Sequence, residues 1–454
     1  MKSMSILFVV DDKPTIENII IFCSFLRQKK IKYNITLLFK MNFFLNNKTI
    51  KKLNKLRLKK YFLKKKNEKI SFRKNENLRV TSFKILISGI KQIMKSIRTI
   101  YILNKILKKT KPNLCIVSKD YTEFDELVFF ACKTKKVKTA MLPGAFQHSD
   151  SKQFYYKNRQ NWLIKNKFIS NLFILNFFSL IFPDWVKKFN KNKFFLDNPV
   201  ARLFRCFLGC SSIYPHFIGF GKQNFNFLDS QEQFDVVQKI FKKKINTIFF
   251  LNCKPLLDKL YKIYINKKKF KKIFFKKHKF LQEKKLVLVS LPNYYEHGFL
   301  SLENQLNEIN FLINSLKTLD KNYYIVYSLH PTMDYNFYKK KFKNLIIIKD
   351  NITSIVALAD IFISAYSTVS HWTSVFKIKT ISLNYFDMKF TYLNKKKYIN
   401  VVESKSQFIE NINKLKKQKL FFRNDKNNDV KMIIDGNHCN RLYNNILEIN
   451  KYDN

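Results

Sequence analysis

The stretch that decides the fold begins with Leu286-Val-Leu-Val-Ser290, an apolar run that predicts a buried strand, and continues to Asp387. A helical pattern follows from about Ser301 to Leu319, and a shorter helix is predicted to end near Ala359. Further apolar runs predict four more strands, at Tyr324–Ser328, Leu345–Ile348, Ile361–Ile363 and Thr380–Leu383. Apolar strands that alternate with helices favour a parallel sheet covered on both faces.

Polar residues collect where these predicted strands end. They are Glu296, His297, His330, Ser367, Thr368, Asn384 and Asp387. In an open α/β sheet, ligands bind outside the carboxyl ends of the strands. The pattern therefore indicates a ligand site at this edge.

Two of the strand ends have chemistry suited to phosphate. Pro331 fixes the turn after the strand, and His330 offers a donor near neutral pH. Ser367 or Thr368 can cap a helix that starts at Val369, and a helix N-terminus attracts anions. Each feature alone also suits an ordinary polar strand end or a plain helix cap. Both in one sheet favour phosphate binding.

The earlier part of the chain repeats this arrangement. Strands are predicted at Ser5–Val10, Ile35–Phe39, Leu114–Val117, Thr139–Leu142 and Thr247–Leu251, with helices that include Ile85–Leu107. Polar residues again follow strands: Asp120, Thr122, Gln147 and His148. The first strand is not followed by G-x-G-x-x-G, so a dinucleotide fingerprint is absent.

The length of 454 residues suits two α/β domains with separate cores. We predict an N-terminal domain over residues 1–258 and a C-terminal domain over residues 259–454. The Lys-rich stretch Lys267–Lys277 is the predicted linker. A last helix, ending near Ile449, is expected to return to the first domain.

The net charge of +54 comes mainly from lysines spread along the chain. Because Arg clusters, an aromatic platform and a known nucleic-acid module are all missing, we expect no nucleic-acid partner. The charge still favours an anionic membrane surface. The seven cysteines have no metal-binding spacing, so neither a metal nor another cofactor is predicted.

Phe168–Phe182 is nearly all apolar and has basic flanks. It is shorter than the roughly 20 residues that span a bilayer. Either an interfacial helix or a buried helix fits it. The chain starts with a strand and not with a signal peptide, so we expect a cytoplasmic protein that rests on the inner face of the membrane.

Three motifs resemble a known superfamily: Val287-Leu-Val-Ser-Leu-Pro-Asn-Tyr-Tyr-Glu-His-Gly298, Ser328-Leu-His-Pro-Thr-Met-Asp334 and Ala365-Tyr-Ser-Thr-Val-Ser-His-Trp372. They are similar to GT-B glycosyltransferases of the bacterial surface and capsule polysaccharide type, which are related to UDP-N-acetylglucosamine 2-epimerase-like proteins. Lys111–Thr122 is similar to a strand and Asp-Thr loop of the epimerase-like first domain. The resemblance implies α/β architecture with two facing Rossmann-like domains, parallel sheets and a central cleft.

The chain departs from the 2-epimerases at three loops. Leu142-Pro-Gly-Ala145 replaces a turn with a glutamate, and Pro292–His297 replaces an Arg/Glu-rich loop. Ala365-Tyr-Ser-Thr368 replaces a Gly-Gly phosphate loop with a ribose-binding glutamate. The His-Pro and Ser-Thr pair is instead similar to inverting transferases that use CMP-activated acidic sugars.

The resemblance implies a metal-independent glycosyltransferase that moves a sugar from a nucleotide-sugar donor to a surface polysaccharide or lipid-linked glycan. Asp120 is the first candidate base and His148 the second, although Asp120 equally suits a helix cap. His330, Ser367 and Thr368 would hold the leaving nucleotide. The remaining donor-site candidates are Glu296, His297, Ser328, Pro331, Tyr366 and Asp387. A UDP-sugar 2-epimerase and a non-catalytic carbohydrate- or membrane-binding protein remain alternatives.

Overall fold

A computed structural model describes much of the chain. The described residues are 4–11, 13–40, 47–63, 82–120, 122–143, 177, 180–181, 183, 186–189, 192–195, 198–211, 221–240, 247–280, 284–296, 300–319, 322–365, 367–385, 393–394, 396–417, 419, 422 and 432–452.

The chain forms two compact units. The first holds the described residues up to 256 and those from 437 onward, and the second holds those between 257 and 436. Each unit is built on its own sheet. The architecture is therefore α/β with two Rossmann-like sheets, as the sequence predicts.

The strands of the first unit are β1 (Met4–Val10), β2 (Tyr33–Phe39), β3 (Lys59–Phe62), β4 (Leu114–Val117), β5 (Lys138–Met141), β6 (Val186–Phe189), β7 (Asn192–Phe195), β8 (Phe225–Leu228) and β9 (Ile248–Leu251). Seven of them form a parallel sheet in the order β3-β2-β1-β4-β5-β8-β9. β6 and β7 pair separately as an antiparallel hairpin.

The first helices are α1 (Lys13–Gln28), α2 (Asn47–Lys55), α3 (Ser82–Thr110), α4 (Glu123–Thr134), α5 (Pro199–Phe207), α6 (Gln231–Ile240) and α7 (Pro255–Ile265). Side chains of β1 alternate between two cores, as strand geometry requires. Phe8 packs in a cluster with Phe22 of α1, and Leu7 packs in another with Leu127 of α4. Both faces of the sheet are therefore covered.

The second unit contains the strands β10 (Lys285–Ser290), β11 (Tyr323–Ser328), β12 (Ile347–Ile348), β13 (Ile361–Ser364), β14 (Lys379–Leu383) and β15 (Ile399–Val402). Its helices are α7 from Leu257 onward, α8 (Lys267–His278), α9 (Leu302–Leu316), α10 (Tyr335–Lys341), α11 (Val369–Val375) and α12 (Lys405–Lys416). All six strands are parallel, in the order β12-β11-β10-β13-β14-β15. A final helix, α13 (His438–Ile449), packs into the β1 core of the first unit.

Both sheets have the same topology near their first strand. In the first sheet, β2 and β3 are added on one side of β1, and β4 is then added on its other side. In the second sheet, β11 and β12 are added on one side of β10, and β13 on its other side. The carboxyl ends of β1 and β4, and those of β10 and β13, are therefore topological switch points. In open α/β sheets, ligands bind at these points.

Several sequence predictions differ from the structure. The predicted linker Lys267–Lys277 is wrong, because this stretch lies in α8, which buries Phe274 and Phe275. The helix predicted to end near Ala359 consists of short 3-10 turns. The sequence also missed β3, β8, β15 and α10. Within the described residues, no helix is both long enough and apolar enough to cross a bilayer.

Candidate functional site

A row of serines marks the carboxyl edge of the second sheet. Ser290 of β10 pairs in register with Ser328 of β11 on one side and with Ser364 of β13 on the other. Ser364 pairs in turn with Ser382 of β14. The Ser364 hydroxyl also lies 3.1 Å from the hydroxyl of Ser370 in α11. These small polar side chains leave room for α11 near the edge of the sheet.

His330 lies in an ordered turn after β11. The backbone N–H of Met333 donates to the carbonyl of His330 at 2.9 Å, and Asp334 caps α10. The backbone N–H of Thr332 donates to His330 Nδ1 at 3.3 Å, and the Thr332 hydroxyl lies 2.7 Å from the same nitrogen.

The surroundings of His330 determine the protonation state and the tautomer of its imidazole ring. Burial lowers the pKa of His330 to about 4, so the ring is neutral near pH 7. Because Nδ1 accepts a backbone hydrogen bond, the proton of the neutral ring is on Nε2. His330 is therefore an uncharged hydrogen-bond donor.

The turn after β13 leads into α11. The Ser367 hydroxyl accepts a 3.2 Å hydrogen bond from the backbone N–H of Val369. Thr368, at the N-cap position, makes no side-chain capping bond. Of the two predicted caps, Ser367 is thus the one that contacts the helix. The Thr368 hydroxyl is half-buried at the same edge.

The His330 and Ser367 turns follow strands that flank β10 on its two sides. Neighbouring strands lie about 4.8 Å apart, so the two turns start about 10 Å from each other. Both are at the carboxyl edge beside the β10/β13 switch point. A diphosphate with a hydrogen bond at each end can span that separation.

Glu296 is held by two buried side chains. The Tyr338 hydroxyl donates to Glu296 Oε1 at 2.8 Å, and Gln305 Nε2 donates to Oε2 at 2.9 Å. Gln305 Oε1 accepts from the backbone N–H of Tyr295 at 2.7 Å. Burial, together with the hydrogen bond to Glu296, raises the pKa of Tyr338 well above its usual value. Glu296 therefore positions the loop after β10.

Asn293, in the same loop, was not identified from the sequence. Its Nδ2 is buried and has no hydrogen-bond partner within the described residues. A buried donor without a partner is costly and is common where a ligand or ordered water completes the site. The available sequence signal was its position just after the first strand of the sheet.

Only some of the other predicted donor-site residues are among those that the structure describes. Ser328 is buried at the end of β11, where its carbonyl accepts from the backbone N–H of Leu291 at 3.0 Å, and Pro331 is exposed. His297, Tyr366 and Asp387 lie outside the described residues, and so does His148, the second candidate base.

The switch point of the first sheet joins two loops through Asp11. The Ser118 hydroxyl, after β4, donates to Asp11 Oδ1, and Lys119 Nζ lies 2.8 Å from Asp11 Oδ2. The side chain of Asp11 is almost fully buried. Sequence reasoning did not select this residue, although it directly follows β1.

A second polar group lies next to it, at the start of α4. Thr122 and Asp125 form a capping box, and Lys40 Nζ donates to the Thr122 hydroxyl at 3.3 Å. Burial raises the pKa of Asp125 to about 7, which Lys40 opposes and Asp11 reinforces. Asp125 therefore changes its charge near neutral pH.

The predicted base Asp120 is fully buried. Its Oδ2 accepts hydrogen bonds from the backbone N–H of Gly221 at 2.8 Å and from Gln223 Nε2 at 3.0 Å. Gln223 Nε2 also donates to Asn226 Oδ1 at 2.7 Å. Thr122, and not Asp120, caps α4. These contacts make Asp120 a link between the loops around β4 and β8.

The described residues include no group of three or more His, Cys, Asp or Glu that could hold a metal ion. The groups that converge at the two switch points are hydroxyls, amides, lysines, carboxylates and a neutral imidazole. Such a set binds phosphates and sugars through hydrogen bonds and ion pairs.

No protein-family model and no curated protein matches the sequence. The fold does match solved structures. One is UDP-GlcNAc 2-epimerase from Methanocaldococcus jannaschii in complex with UDP-GlcNAc and UDP. It is 13% identical with a TM-score of 0.53, and the match covers 98% of this chain and 99% of that one.

UDP-GlcNAc 2-epimerase from Neisseria meningitidis bound to UDP-GlcNAc is also 13% identical, with a TM-score of 0.52 and coverage of 98% and 100%. The wall teichoic acid polymerase TagF, in a structure soaked with CDPG, is 9% identical with a TM-score of 0.51 and coverage of 98% and 88%. Identities this low establish the fold alone. That fold is the GT-B type implied by the sequence motifs.

Proposed function

We propose that this protein is a glycosyltransferase that transfers a sugar from a nucleotide-sugar donor to a surface polysaccharide or lipid-linked glycan. The observation that carries the proposal is the pair of turns beside β10. His330 provides a neutral Nε2–H donor on one side, and Ser367 and Thr368 provide hydroxyls on the other. Together they suit the phosphates of a nucleotide.

The residues at the β10/β13 switch point support a nucleotide-sugar site in the second unit. Asn293 contributes a buried amide donor without a partner in the described part of the chain. Glu296 is fixed through Tyr338 and Gln305, so the loop that carries Asn293 is held in place. A preorganised set of donors costs little reorganisation when charge develops on the leaving phosphate.

The solved structures of similar fold support the same donor class. Two epimerases of this fold are described with UDP-GlcNAc, and TagF is described with CDPG. In each of these ligands, a group is linked to a nucleoside through a diphosphate. Ala365-Tyr-Ser-Thr368 replaces the Gly-Gly loop of the epimerases. Because the His-Pro and Ser-Thr pair is similar to transferases that use CMP-activated acidic sugars, these sugars are a donor class to test beside the diphosphate-linked ones.

The chemical step needs a base at the acceptor hydroxyl and stabilisation of the leaving nucleotide. His330, as a neutral donor, is suited to the second role and not to the first. Asp120 is suited to positioning, because it is buried and holds the Gly221 loop. His148, the second base candidate, lies outside the described residues and is the next residue to substitute.

A panel of CMP-, UDP- and GDP-sugars tests the proposal directly. Each donor is incubated with the protein in the presence and absence of membrane extract containing lipid-linked glycans. We expect release of the nucleotide that depends on the extract, together with incorporation of labelled sugar. Binding of no nucleotide sugar, or binding without any turnover, would favour a non-catalytic protein.

A UDP-sugar 2-epimerase is the second candidate. The observation that favours it is the fold likeness to two epimerases over nearly the full length of both chains. An epimerase interconverts UDP-sugars without any acceptor. Formation of a second UDP-sugar in the absence of extract would therefore select this alternative.

A further inference from the structure

An exposed apolar stripe runs along α3. Six large side chains of this helix are between 36% and 69% exposed: Leu86, Ile87, Ile90, Met94, Ile97 and Tyr101. At about 100° per residue, all six fall within an arc of roughly 100° and extend over about 22 Å. Scattered exposed apolar residues are ordinary, but a continuous stripe marks an interaction surface.

The opposite face of α3 is fixed to the first unit. The Ser96 hydroxyl donates to Glu123 Oε1 of α4 at 2.9 Å. Gly89 lies so close to α5 that an added Cβ would be 2.6 Å from Val200 Cβ. Leu103 is buried in the sheet core. The stripe is therefore the outward face of a firmly packed helix.

The basic residues of α3 indicate what kind of surface the stripe binds. α3 contains seven Lys or Arg residues and no Asp or Glu. Lys91, Lys95 and Arg98 are exposed along one flank of the stripe. An apolar strip beside a basic flank matches the boundary between acyl chains and anionic headgroups.

Other exposed apolar side chains occur in the same unit. Phe207, at the end of α5, is 83% exposed, and Leu180 is 82% exposed. Phe177 and Ile181 are exposed as well. These three residues around 177–181 belong to the stretch Phe168–Phe182, for which the sequence left an interfacial and a buried helix open. The other residues of that stretch are not described.

We propose that the α3 stripe is a membrane-docking surface that lies on an anionic lipid bilayer, with the apolar side chains at the level of the headgroups and acyl chains. Lys91, Lys95 and Arg98 contact anionic headgroups. This contact needs no membrane-spanning segment. It is independent of the reaction that the protein catalyses.

Vesicle flotation tests the proposal with the full chain. Vesicles of neutral phosphatidylcholine are compared with vesicles containing anionic phosphatidylglycerol, at low and high salt. The apolar test variant combines Ile90→Gln, Met94→Gln and Ile97→Gln. Its matched control combines Ile265→Gln, Ile273→Gln and Ile409→Gln, which change exposed isoleucines of the second unit.

We expect the wild type to float with anionic vesicles, and a fraction of binding to persist in high salt, where charge attraction is screened. The apolar test variant should lose binding by about tenfold, because apolar burial drives insertion. The control should bind within about twofold of the wild type, since its changes lie off α3. Equal loss in both variants, or no loss in the test variant, would overturn the proposal.

A second pair of variants separates local charge from the net charge of +54. Lys91→Gln, Lys95→Gln and Arg98→Gln alter the flank of the stripe, and Lys268→Gln, Lys269→Gln and Lys272→Gln remove the same charge from exposed positions of α8. Only the α3 set should weaken anionic-vesicle binding strongly. Self-association is measured by sedimentation. If the wild type does not bind vesicles but self-associates through the stripe, the partner of the stripe is a second copy of the chain and not a lipid bilayer.

Discussion

The carboxylate of Asp120 accepts a 2.8 Å hydrogen bond from the backbone N–H of Gly221, and so joins two loops that are far apart in sequence. A Cβ on Gly221 would lie 2.6 Å from Asp120 Cβ, so only glycine fits this approach. Gln223 completes the link through its Nε2. A residue selected from the sequence as a base is thus built into the interior of the first unit.

Asp120→Asn tests whether this residue positions or reacts. An amide oxygen at the position of Oδ2 can still accept from both the Gly221 N–H and Gln223 Nε2. We expect a loss of unfolding free energy below about 1 kcal/mol, and turnover within about tenfold of the wild type. A base would instead cost roughly 10²–10⁴ in turnover with unchanged stability. Thermal denaturation and a turnover assay distinguish the two roles.

Asp120→Ala is the companion variant. It leaves the buried Gly221 N–H without its acceptor, which should cost about 1–3 kcal/mol. Stability equal to that of the wild type would show that the link contributes nothing.

Asp125 should make stability fall as pH rises. Its pKa is raised to about 7 in the folded protein because the side chain is buried. The unfolded pKa of aspartate is about 3.9, so the folded state holds the extra proton between about pH 4 and pH 7. Stability is therefore highest below that window and is lost through it, by roughly 1–4 kcal/mol from this group.

Urea denaturation of the wild type and of Asp125→Asn, from pH 4.5 to pH 8, measures this contribution. The variant keeps an oxygen that can accept from the backbone N–H of Thr122 but cannot ionise. Its stability should lack the decline that the wild type shows toward pH 7. Identical pH profiles would mean that Asp125 titrates normally.

Tyr338→Phe should weaken the support of the donor loop. It removes the hydroxyl that donates to Glu296 at 2.8 Å while keeping the buried ring. We expect a loss of about 1–3 kcal/mol in unfolding free energy and a weaker affinity for the nucleotide sugar, because Glu296 positions the loop. Calorimetry supplies the affinity. Tyr335→Phe, in the same helix, is the control and should leave nucleotide affinity unchanged.

The pH dependence of donor affinity follows from the state of His330. The pKa of this residue is lowered to about 4 by burial, so the ring stays neutral from pH 8 to pH 6. Affinity for a nucleotide sugar, whose phosphates do not titrate in this range, should change by less than about threefold. A steep rise in affinity toward pH 6 would indicate a charged imidazole at the phosphate.

The sequence predicted the central strands of both sheets because they are continuous apolar runs. β10 and β11 are found where the sequence placed them, and both are parallel and buried. β15 was missed because Ile399-Asn-Val-Val402 is short and includes a polar residue. α8 was taken for a linker because its many lysines mask the two phenylalanines that it buries.

The sequence indicates which residue types lie at the candidate site, but not which residues they contact. A polar residue at a strand end is visible in the sequence, and this selected Asp120, Glu296 and His330. The partners of Asp120 and Glu296 are Gly221 and Tyr338, which the fold brings from distant positions. Burial and pairing depend on such contacts, so the sequence could not distinguish positioning carboxylates from reactive ones.

We propose that the carboxyl edge of the second sheet binds the donor nucleotide through His330. Titration calorimetry with the nucleotide that supports turnover should show an affinity at least about tenfold weaker in His330→Ala. His330→Gln, which can keep a donor near the position of Nε2, should recover part of the loss. His278→Ala, which alters a histidine paired with Asp350 in the same unit, should bind normally. Normal nucleotide affinity in His330→Ala would contradict the account and place the donor site elsewhere.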